Sequence, residues 1–339
     1  MGVDLKPIVE ARKIEMHGLS GKTIAIDAFN TLHQFLSIIR QRDGTPLKDN
    51  KGRITSHLSG LLYRTANIVE EGIKPIYVFD GKPHPLKLHT LQKRMEIKSE
   101  AEREWKEAIE RGDMQEAFKK AIRTSRINEE IVKESKRLLA ALGIPYIDAP
   151  GEGEAQAAYM ARKGSVDGVA SQDFDCLLFG SPCLIRNLAV TGKRKLPDKQ
   201  IWIDVPIEEI LLENVLKKNE ITREQLVDIA ILIGTDFNEG IKGIGPKKAL
   251  MLVKKYGSIE KIMENEGINI ENYEEVKKIF LEPDVSDEYK IEFNEVDEEE
   301  AMKILCDEHQ FSENRVKKAI EKYKKFAKSF KQSSLFDFG

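Results

Sequence analysis

Apolar runs that end in an acidic residue recur along this chain. Residues 24–26 lead into Asp27, and residues 76–79 lead into Asp80. A continuous apolar run that ends in a charge is typical of a parallel strand, buried on both faces, whose last residue lies at the carboxyl edge of a sheet. The pattern predicts strands at residues 23–27, 75–80, 144–147, 166–171, 184–187 and 201–205.

Helical patterns lie between most of these strands. Residues 57–71 form one such pattern, with Thr55 and Ser56 as capping residues at its start and Gly72 at its end. Further helices are predicted at residues 131–142, 223–233, 247–256 and 312–331. Strands that alternate with helices predict an α/β fold with a mostly parallel central sheet flanked by helices.

One interval between strands is too long for a simple connection. Residues 81–143 separate two predicted strands, whereas the loops of such units usually take about two to six residues. The interval is highly charged and helical in pattern, so residues 82–135 are predicted to form a helical cap above the carboxyl edge. A surface hairpin stabilised by i,i+4 ion pairs is the alternative for its middle part. That alternative is weaker for Lys87 and Arg94, which follow the Asp80 strand end closely.

The chain is expected to form a single domain over residues 1–330. Its expected parts are an N-terminal part (1–97), the cap (82–135), an internal part (136–258) with a helix-hairpin-helix near 225–256, a C-terminal helical part (259–330) and a flexible tail (331–339).

Acidic residues at the ends of predicted strands, or just after them, are the strongest chemical signal. They are Asp27, Asp80, Glu152, Glu154, Asp173, Asp175 and Asp236. So many carboxylates can share one pocket only if cations neutralise them, because their repulsion and desolvation would otherwise be prohibitive. Oxygen ligands favour hard ions, so Mg²⁺ is expected first and Mn²⁺ second. Chance placement among 57 acids in 339 residues explains any one of these positions, but it explains poorly a set with two acid-x-acid pairs.

Paired divalent ions suit the hydrolysis of a phosphodiester. Two ions about 4 Å apart can clamp the attacking and leaving oxygens, and this chemistry needs carboxylates rather than a nucleophilic side chain. The sequence has no G-x-x-x-x-G-K-[ST] loop, no G-x-S-x-G elbow and no His/Cys cluster. A metal-dependent phosphatase acting on a small substrate is an alternative interpretation of the Asp173-x-Asp175 pair.

A basic glycine turn separates two of the predicted helices. Gly243 and Gly245 allow close backbone approach, and the following helix offers free N–H groups to a phosphate. Many helix–helix turns use glycine, but Lys242, Lys247 and Lys248 around this one favour a helix-hairpin-helix that holds one DNA strand independently of its sequence. The phosphatase hypothesis leaves this basic element unexplained.

The tail and the overall composition add weaker signals. Gln332, Leu335, Phe336 and Phe338 form a pattern suited to a short docking peptide, with a disordered terminus as the alternative. The net charge of -3 argues against indiscriminate coating of DNA. No apolar run approaches the ~20 residues of a membrane span. Three scattered cysteines disfavour disulfides and zinc and favour a reducing cytosol.

Four segments of the chain carry a family resemblance. They are residues 78–83, 145–155, 171–175 and 234–249. Together they resemble the flap endonuclease family of structure-specific 5′ nucleases in its archaeal form, and the likeness extends over essentially the whole chain. The resemblance implies that Asp27, Asp80, Glu152 and Glu154 serve a first metal ion and that Asp173, Asp175 and Asp236 serve a second, some of them through water.

The resemblance also implies roles for other residues. The helical cap would be a gateway for a 5′ single strand, with Lys87 and Arg94 beside the scissile phosphate. Gly2 would pack near the active site, and the Gly243–Gly245 turn would bind duplex, often with a K⁺ ion. Gln332, Leu335, Phe336 and Phe338 would dock on a sliding clamp. The DNA-binding set is expected to be Gly2, His33, Arg40, Lys242, Gly243, Gly245, Lys247 and Lys248.

Three positions depart from the family pattern. Gly151 stands where serine is common, with little expected effect. His33 stands where many members have a tyrosine that stacks on a base. The tail ends in Phe338-Gly339 rather than in two aromatic residues, so weaker clamp affinity is expected.

The expected function is Mg²⁺-dependent cleavage of branched DNA with a 5′ flap, together with 5′–3′ exonuclease activity, in replication and repair. A monomer in the cytoplasm of an archaeal cell, without membrane association, is expected. The alternatives are a related 5′ exonuclease, a junction resolvase, and a junction-binding scaffold without catalysis. The complete acid set argues against the scaffold, and the long cap favours threading of a free 5′ end over resolution of a four-way junction.

Overall fold

The structure, a computed structural model, describes residues 2–41, 43–190, 192–195 and 202–336. Its strands are β1 (Arg12–Ile14), β2 (Thr23–Asp27), β3 (Lys74–Phe79), β4 (Tyr146–Asp148), β5 (Gly168–Ala170), β6 (Cys183–Arg186), β7 (Gly192–Lys195), β8 (Trp202–Val205) and β9 (Ile207–Leu211). Seven of them form one sheet in the order β1-β9-β6-β5-β2-β3-β4, and β7 pairs with β8 in a separate ribbon.

The middle of the sheet is parallel. Strands β2 to β6 run in one direction, and β9 runs in the opposite direction, pairing antiparallel with β6 on one side and with β1 on the other. β2 lies between β3 and β5, with Asp27 in register with Val78, and Ile26 in register with Ala170. The carboxyl ends of three neighbouring strands therefore open onto the same edge. This arrangement confirms the predicted fold class.

The helices cover both faces of the sheet. They are α1 (Ala28–Ile38), α2 (Ser56–Glu70), α3 (Lys87–Glu110), α4 (Met114–Ile122), α5 (Glu129–Ala141), α6 (Gly153–Arg162), α7 (Asp175–Leu178), α8 (Leu212–Asn219), α9 (Arg223–Ile233), α10 (Pro246–Tyr256), α11 (Ile259–Glu266), α12 (Tyr273–Leu281), α13 (Glu298–Met302) and α14 (Glu313–Phe336). A π-helical turn, Lys303–Glu308, follows α13. None of the helices in the described ranges is long and apolar enough to cross a membrane.

Two apolar clusters, one on each face, hold the sheet between the helices. Ala25 belongs to the cluster that includes α6 and α9, whereas Ile26 and Tyr77 belong to the cluster that includes α1, α2 and α14. This alternation follows from the two-residue period of a strand. The buried Tyr323 hydroxyl lies 2.8 Å from the carbonyl oxygen of Leu62, which fixes α14 against α2. Burial on both faces explains the continuous apolar runs of the central strands.

Helices α3 and α4 form the helical cap predicted between residues 82 and 135. A tight turn at Gly112, whose φ is +74°, joins them. Their buried side chains are all alanines, namely Ala101, Ala108, Ala117 and Ala121. The Trp105 indole N–H donates to the carbonyl oxygen of Asp43 at 3.3 Å, so the cap rests on the connection between α1 and α2. Small buried residues bring the two helices close together but bury little apolar area.

The structure differs from the predicted elements at the edges of the sheet. Strands β1, β7 and β9 had no predicted counterpart, and β8 pairs with β7 instead of joining the central sheet. β1 and β9 are short and carry charged residues on their exposed face, as in the Arg12–Glu209 pair at 2.6 Å. Charged edge strands discourage aggregation, and they also hide the apolar signal on which strand prediction depends. Helix α14 continues to Phe336, past the predicted end at residue 331.

We predict that Gly60→Ala destabilises the protein by about 1–3 kcal/mol, a cost typical of overpacked cores. A Cβ atom at this position of α2 would lie 2.2 Å from Cγ of Phe35 on α1, so the two helices would have to separate. Urea unfolding measures the loss. Gly18→Ala is the control, because no atom lies within 4 Å of an added Cβ there. Equal stability of the two variants would contradict this account of the α1–α2 contact.

Candidate active site

Two carboxylates at the ends of β2 and β3 are held by the first turns of helices. Asp27 ends β2, and its Oδ1 accepts a hydrogen bond from the backbone N–H of Asn30 at 2.9 Å, so it also caps α1. Asp80 follows β3 directly, and its Oδ1 accepts the N–H of Gly153 at 2.7 Å. Because Gly153 begins α6, this bond brings the glutamates on either side of it to the same edge. Helix N-termini favour negative charge, which suits both positions.

Ser171 joins the next group of carboxylates. Its Oγ lies 3.2 Å from Oδ2 of Asp27 and 2.8 Å from Oε1 of Glu154. The same oxygen accepts the backbone N–H of Asp173 at 3.2 Å, and Asn30 Nδ2 donates to Oδ2 of Asp173 at 3.2 Å. A hydroxyl has a single proton, so Ser171 can donate to only one of its two carboxylates at a time.

The amino-terminal residues hold Asp175. The backbone N–H of Val3 donates to Oδ1 of Asp175 at 2.9 Å. A Cβ atom on Gly2 would lie 2.4 Å from that oxygen and 2.6 Å from Oδ2. Only a residue without a side chain can lie so close to this carboxylate.

A tightly braced loop between α9 and α10 carries Asp236. Asn238 Nδ2 donates to the carbonyl oxygen of Ile231 at 2.9 Å, which folds the loop back onto α9. Gly240 lies so close to the chain that an added Cβ would be 1.8 Å from the carbonyl oxygen of Ile233. The loop therefore holds Asp236 in one place and leads directly into the basic glycine turn.

Burial and crowding raise the pKa of four of these carboxyl groups. Burial, followed by repulsion from Asp80, raises the pKa of Asp27 to about 8. Burial, followed by repulsion from Asp173, raises the pKa of Asp175 to about 7. Burial and a neighbouring glutamate raise the pKa of Asp80 to about 6, and burial and Asp27 raise that of Glu154 well above its usual value. Each shift contains a contribution from another acid of the set, so the structure brings these side chains together.

Two cations from the first turns of α3 complete the cluster. Lys87 Nζ contacts Oε2 of Glu152 and lies 4.0 Å from Oδ2 of Asp236, and Arg94 contacts Oδ1 of Asp236. Burial by itself would lower the pKa of Lys87, but the charges of Glu152 and Asp80 outweigh it and the pKa is raised. The cap thus places both predicted basic residues against the acids.

The donor set fits a hard divalent cation. As the side chains lie, no three His, Cys, Asp or Glu residues of the described ranges are arranged around a common metal position. Part of the reason is that oxygens of Glu152 and Asp236 are in contact with Lys87 and Arg94. The seven acids nevertheless supply only oxygen ligands, and burial together with the neighbouring acids disfavours the charged form of four of them, as their raised pKa values show. Such a cluster matches Mg²⁺ in both charge and ligand type.

Two predicted DNA contacts of the α1 region are involved in internal interactions. Burial, followed by the charge of Lys98, lowers the pKa of His33 to about 4, so its imidazole is neutral at pH 7. Arg40 Nε and Nη1 each donate at 2.7 Å to carbonyl oxygens, those of Leu36 and Gly44 respectively. Burial thus disfavours the charged form of His33, and Arg40 braces the connection beneath the cap. Their contacts with DNA stay predictions.

The basic glycine turn is exposed, as a DNA contact requires. Gly243 has a φ of +83°, and α10 starts at Pro246 directly after Gly245. Buried Ile244 anchors the turn between these glycines. The exposed residues are Lys242, Gly243, Gly245, Lys247 and Lys248.

Three of the four predicted clamp-docking residues lie at the end of α14. The backbones of Gln332, Leu335 and Phe336 belong to this helix, and Phe338 and Gly339 lie outside the described residues. Docking on a sliding clamp stays a prediction.

Residues that hold the acids were missed by sequence reasoning. Asn30 stands three residues after Asp27, the spacing of a helix cap, and Ser171 stands two residues before Asp173, so both could have been found. The N–H of Val3 leaves no trace in a side-chain pattern. Cys176, whose Sγ lies 3.2 Å from Oε1 of Glu154, gave no signal either.

Acid clusters with oxygen ligands serve phosphoryl transfer to water, and the exposed basic turn suits a nucleic-acid backbone. The fold and the site together define a DNA nuclease.

Comparison with known proteins narrows this class. The XPG N-terminal domain matches residues 1–101, and the XPG I-region matches residues 143–236. Flap endonuclease 1 of Archaeoglobus fulgidus is 55% identical over 324 residues, which cover 96% of each chain. The chain belongs to the flap endonuclease family, which confirms the resemblance inferred from its motifs.

Solved structures agree in fold. Flap endonuclease-1 from Methanococcus jannaschii matches with a TM-score of 0.78 at 42% identity, covering 97% of this chain and 99% of that one. The catalytic core of Rad2, solved in complex with a DNA substrate, matches with a TM-score of 0.71 at 22% identity, covering 94% and 97%. At this identity the second match supports the fold alone.

We predict that the protein in EDTA loses thermal stability as the pH rises from about 5.5 to 8.5. The carboxyl pKa values near 6, 7 and 8 are raised in the folded state, so protonation stabilises it at low pH, and this contribution is lost as the pH rises through these values. Mg²⁺ binds the deprotonated acids, so adding Mg²⁺ is expected to stabilise the protein more at pH 8.5 than at pH 5.5. Melting curves with EDTA or Mg²⁺ test this, and a melting temperature in EDTA that rises across the window would refute it.

We predict that Gly2→Ala lowers cleavage of flap DNA at least about tenfold. The added methyl group would displace Asp175, and misplacing a group at a reacting centre by about 1 Å can lower the reaction rate by more than this. Binding of flap DNA in EDTA should be retained, since the exposed lysines of the glycine turn are unchanged. Gly18→Ala should cleave at the normal rate. Normal cleavage by Gly2→Ala would mean that Asp175 tolerates displacement.

Proposed function

We propose that this nuclease hydrolyses a phosphodiester near the junction of branched DNA that carries a 5′ flap, leaving a 5′-phosphate and a 3′-hydroxyl. The observation that carries this proposal is the convergence of the seven acids beneath Lys87 and Arg94 of the cap. A site for a small phosphate ester would need neither a cap of this length nor the exposed lysines of the glycine turn.

The acids divide into two ligand groups for two Mg²⁺ ions, with Mn²⁺ as a substitute. The first group is Asp27, Asp80, Glu152 and Glu154, and the second is Asp173, Asp175 and Asp236, some acting through water. When bound, the ions supply positive charge to the attacking and leaving oxygens of the phosphodiester. Ser171, Asn30 and the N–H of Val3 hold carboxylates of both groups in place.

Lys87 and Arg94 act on the scissile phosphate. Both project from α3 toward the acid cluster, and Lys87 Nζ lies 6.0 Å from the centre of the Phe237 ring. Positive charge fixed at this position stabilises the negative charge that develops on the phosphate oxygens. The cap residues therefore contribute to catalysis as well as to the selection of a free 5′ end.

Duplex binding is assigned to the exposed glycine turn. The first N–H groups of α10 and the amino groups of Lys242, Lys247 and Lys248 can meet successive phosphates of one strand. The backbone of this turn would hold a K⁺ ion, which would supply positive charge beside the same strand. The loop of Asp236 is continuous with the turn, so the position of the duplex sets the position of the scissile bond.

The wider role follows from the same substrate. The 5′ single strand passes the cap before cleavage, recessed 5′ ends are shortened by 5′–3′ exonuclease action, and Gln332, Leu335, Phe336 and Phe338 dock on a sliding clamp. We place the protein, as a monomer, in the cytoplasm of an archaeal cell, in the removal of displaced primers and in repair.

We predict that Asp175→Asn reduces cleavage by at least about a hundredfold, the scale of losing one charge-stabilising group at a reacting centre. Flap DNA should still bind, because the lysines of the glycine turn are unchanged. Asp167→Asn is the matched control, because Asp167 precedes β5 and pairs with Lys22 at 3.0 Å, outside the acid cluster. Near-normal turnover by Asp175→Asn would overturn the metal assignment.

Product mapping on a labelled double-flap substrate tests the substrate proposal. Cleavage within a nucleotide or so of the junction supports it, whereas equal rates on flap, nicked and four-way substrates would contradict it.

A further inference from the structure

Two cations of the cap lie against oxygens assigned to metal ions. Lys87 Nζ contacts Oε2 of Glu152 and lies 4.0 Å from Oδ2 of Asp236. Arg94 Nη2 contacts Oδ1 of Asp236. Both oxygens of Asp236 therefore face a cationic nitrogen of α3, and one oxygen of Glu152 does so too.

These contacts are shielded from water. The side chains of Glu152, Asp236 and Lys87 are 15%, 11% and 14% exposed, and that of Arg94 is 31% exposed. Ion pairs with so little exposure are screened less than surface pairs, so each competes effectively for its carboxylate. By contrast Lys93, on the same helix, pairs with Glu239 where the two side chains are 53% and 74% exposed.

A carboxylate oxygen cannot serve an ammonium group and a divalent ion in the same place. Mg²⁺ requires its ligands at about 2.0–2.1 Å in near-octahedral geometry. A lysine or arginine nitrogen in contact with the same oxygen would lie within a few ångströms of the ion, and the two like charges would repel strongly.

We propose that Lys87 and Arg94 are built-in counter-ions of the acid cluster, which compete with divalent ions for Glu152 and Asp236. Ion binding displaces both side chains from these acids. The displaced cations are then available to the scissile phosphate, their catalytic partner, so the proposal rests on the function proposed above. Loading with metal and presentation of the two cations to DNA become one coupled step.

The proposal fixes the direction in which metal affinity changes when one of the two cations is removed. A group that merely supports the site would, when removed, weaken metal binding or leave it unchanged. A competing counter-ion, when removed, tightens it. Loss of an ion pair that contributes about 1 kcal/mol corresponds to about fivefold tighter binding of the ion.

The experiment measures binding of Mg²⁺ and of Mn²⁺ to the full chain without DNA, by calorimetry. The variants are Lys87→Met, Arg94→Met, Lys87→Arg and Lys93→Met. Lys93→Met removes the same charge from the same helix but leaves the acid cluster alone, so it controls for net charge. Lys87→Arg retains a cation and should bind the ions with nearly unchanged affinity.

Tightening by about threefold to tenfold in Lys87→Met and Arg94→Met, with Lys93→Met unchanged, supports the proposal. Melting in EDTA gives a second readout: Lys87→Met should melt at a lower temperature than the parent and gain more from Mg²⁺, since its acids have lost a neutralising partner. Should Lys87→Met fail to fold, Arg94→Met and Lys87→Arg decide the question.

Unchanged or weaker ion binding in folded Lys87→Met and Arg94→Met overturns the proposal, as does equal tightening in Lys93→Met. These results are independent of substrate choice. Tighter ion binding together with junction-independent cleavage would instead leave the counter-ion role standing and reject the flap assignment.

Discussion

Mutual repulsion among carboxylates at the edge of a buried sheet is the constraint on which this structure depends. Parallel strands with both faces covered bring Asp27 and Asp80 to one edge, and β5 leads into Asp173 and then into α7, which begins at Asp175. Their charges are costly there, because little water reaches them. The positive ends of α1 and α6, the hydroxyl of Ser171 and two cations of the cap each offset part of that cost. The site is thus assembled from every layer of the fold, rather than placed on one loop.

The cap differs from the rest of the molecule in how it is held. The two apolar clusters of the core bury large side chains on both faces of the sheet, whereas α3 and α4 bury alanines and expose Met95 and Ile97. Few buried apolar contacts mean low local stability, which is the property expected of a segment that opens to admit a strand. The ion pairs of Lys87 and Arg94 with the acids therefore also tie the cap to the sheet. Rigidly held acids and a loosely held cap are what the gateway proposed above would require.

The sequence alone was enough to place the central strands, and Asp27 and Asp80 with them, because a strand buried on both faces leaves a continuous apolar run that ends in its carboxylate. The other five acids lie in loops or in the first turns of helices, so no such run ends at them. Helix α9 was predicted with its ends in place, since Thr222 and Gln225 form a capping box. Strands β1 and β9 escaped detection, because they are only three to five residues long and each has two adjacent charged residues, Arg12-Lys13 and Glu208-Glu209, that interrupt its apolar positions. The support given to Asp175 by Val3 could not be foreseen, since it is a backbone contact between residues far apart in the chain. The spacing of apolar residues along the chain does not reveal which distant backbone groups come into contact.

That contact has a consequence for synthesis on the ribosome. Val3 is synthesised well before its carboxylate partner, which is added 172 positions later. The loop of Asp236 follows later still. No nascent fragment that ends before this loop contains all seven acids, so the acid cluster can assemble only after Asp236 has been synthesised.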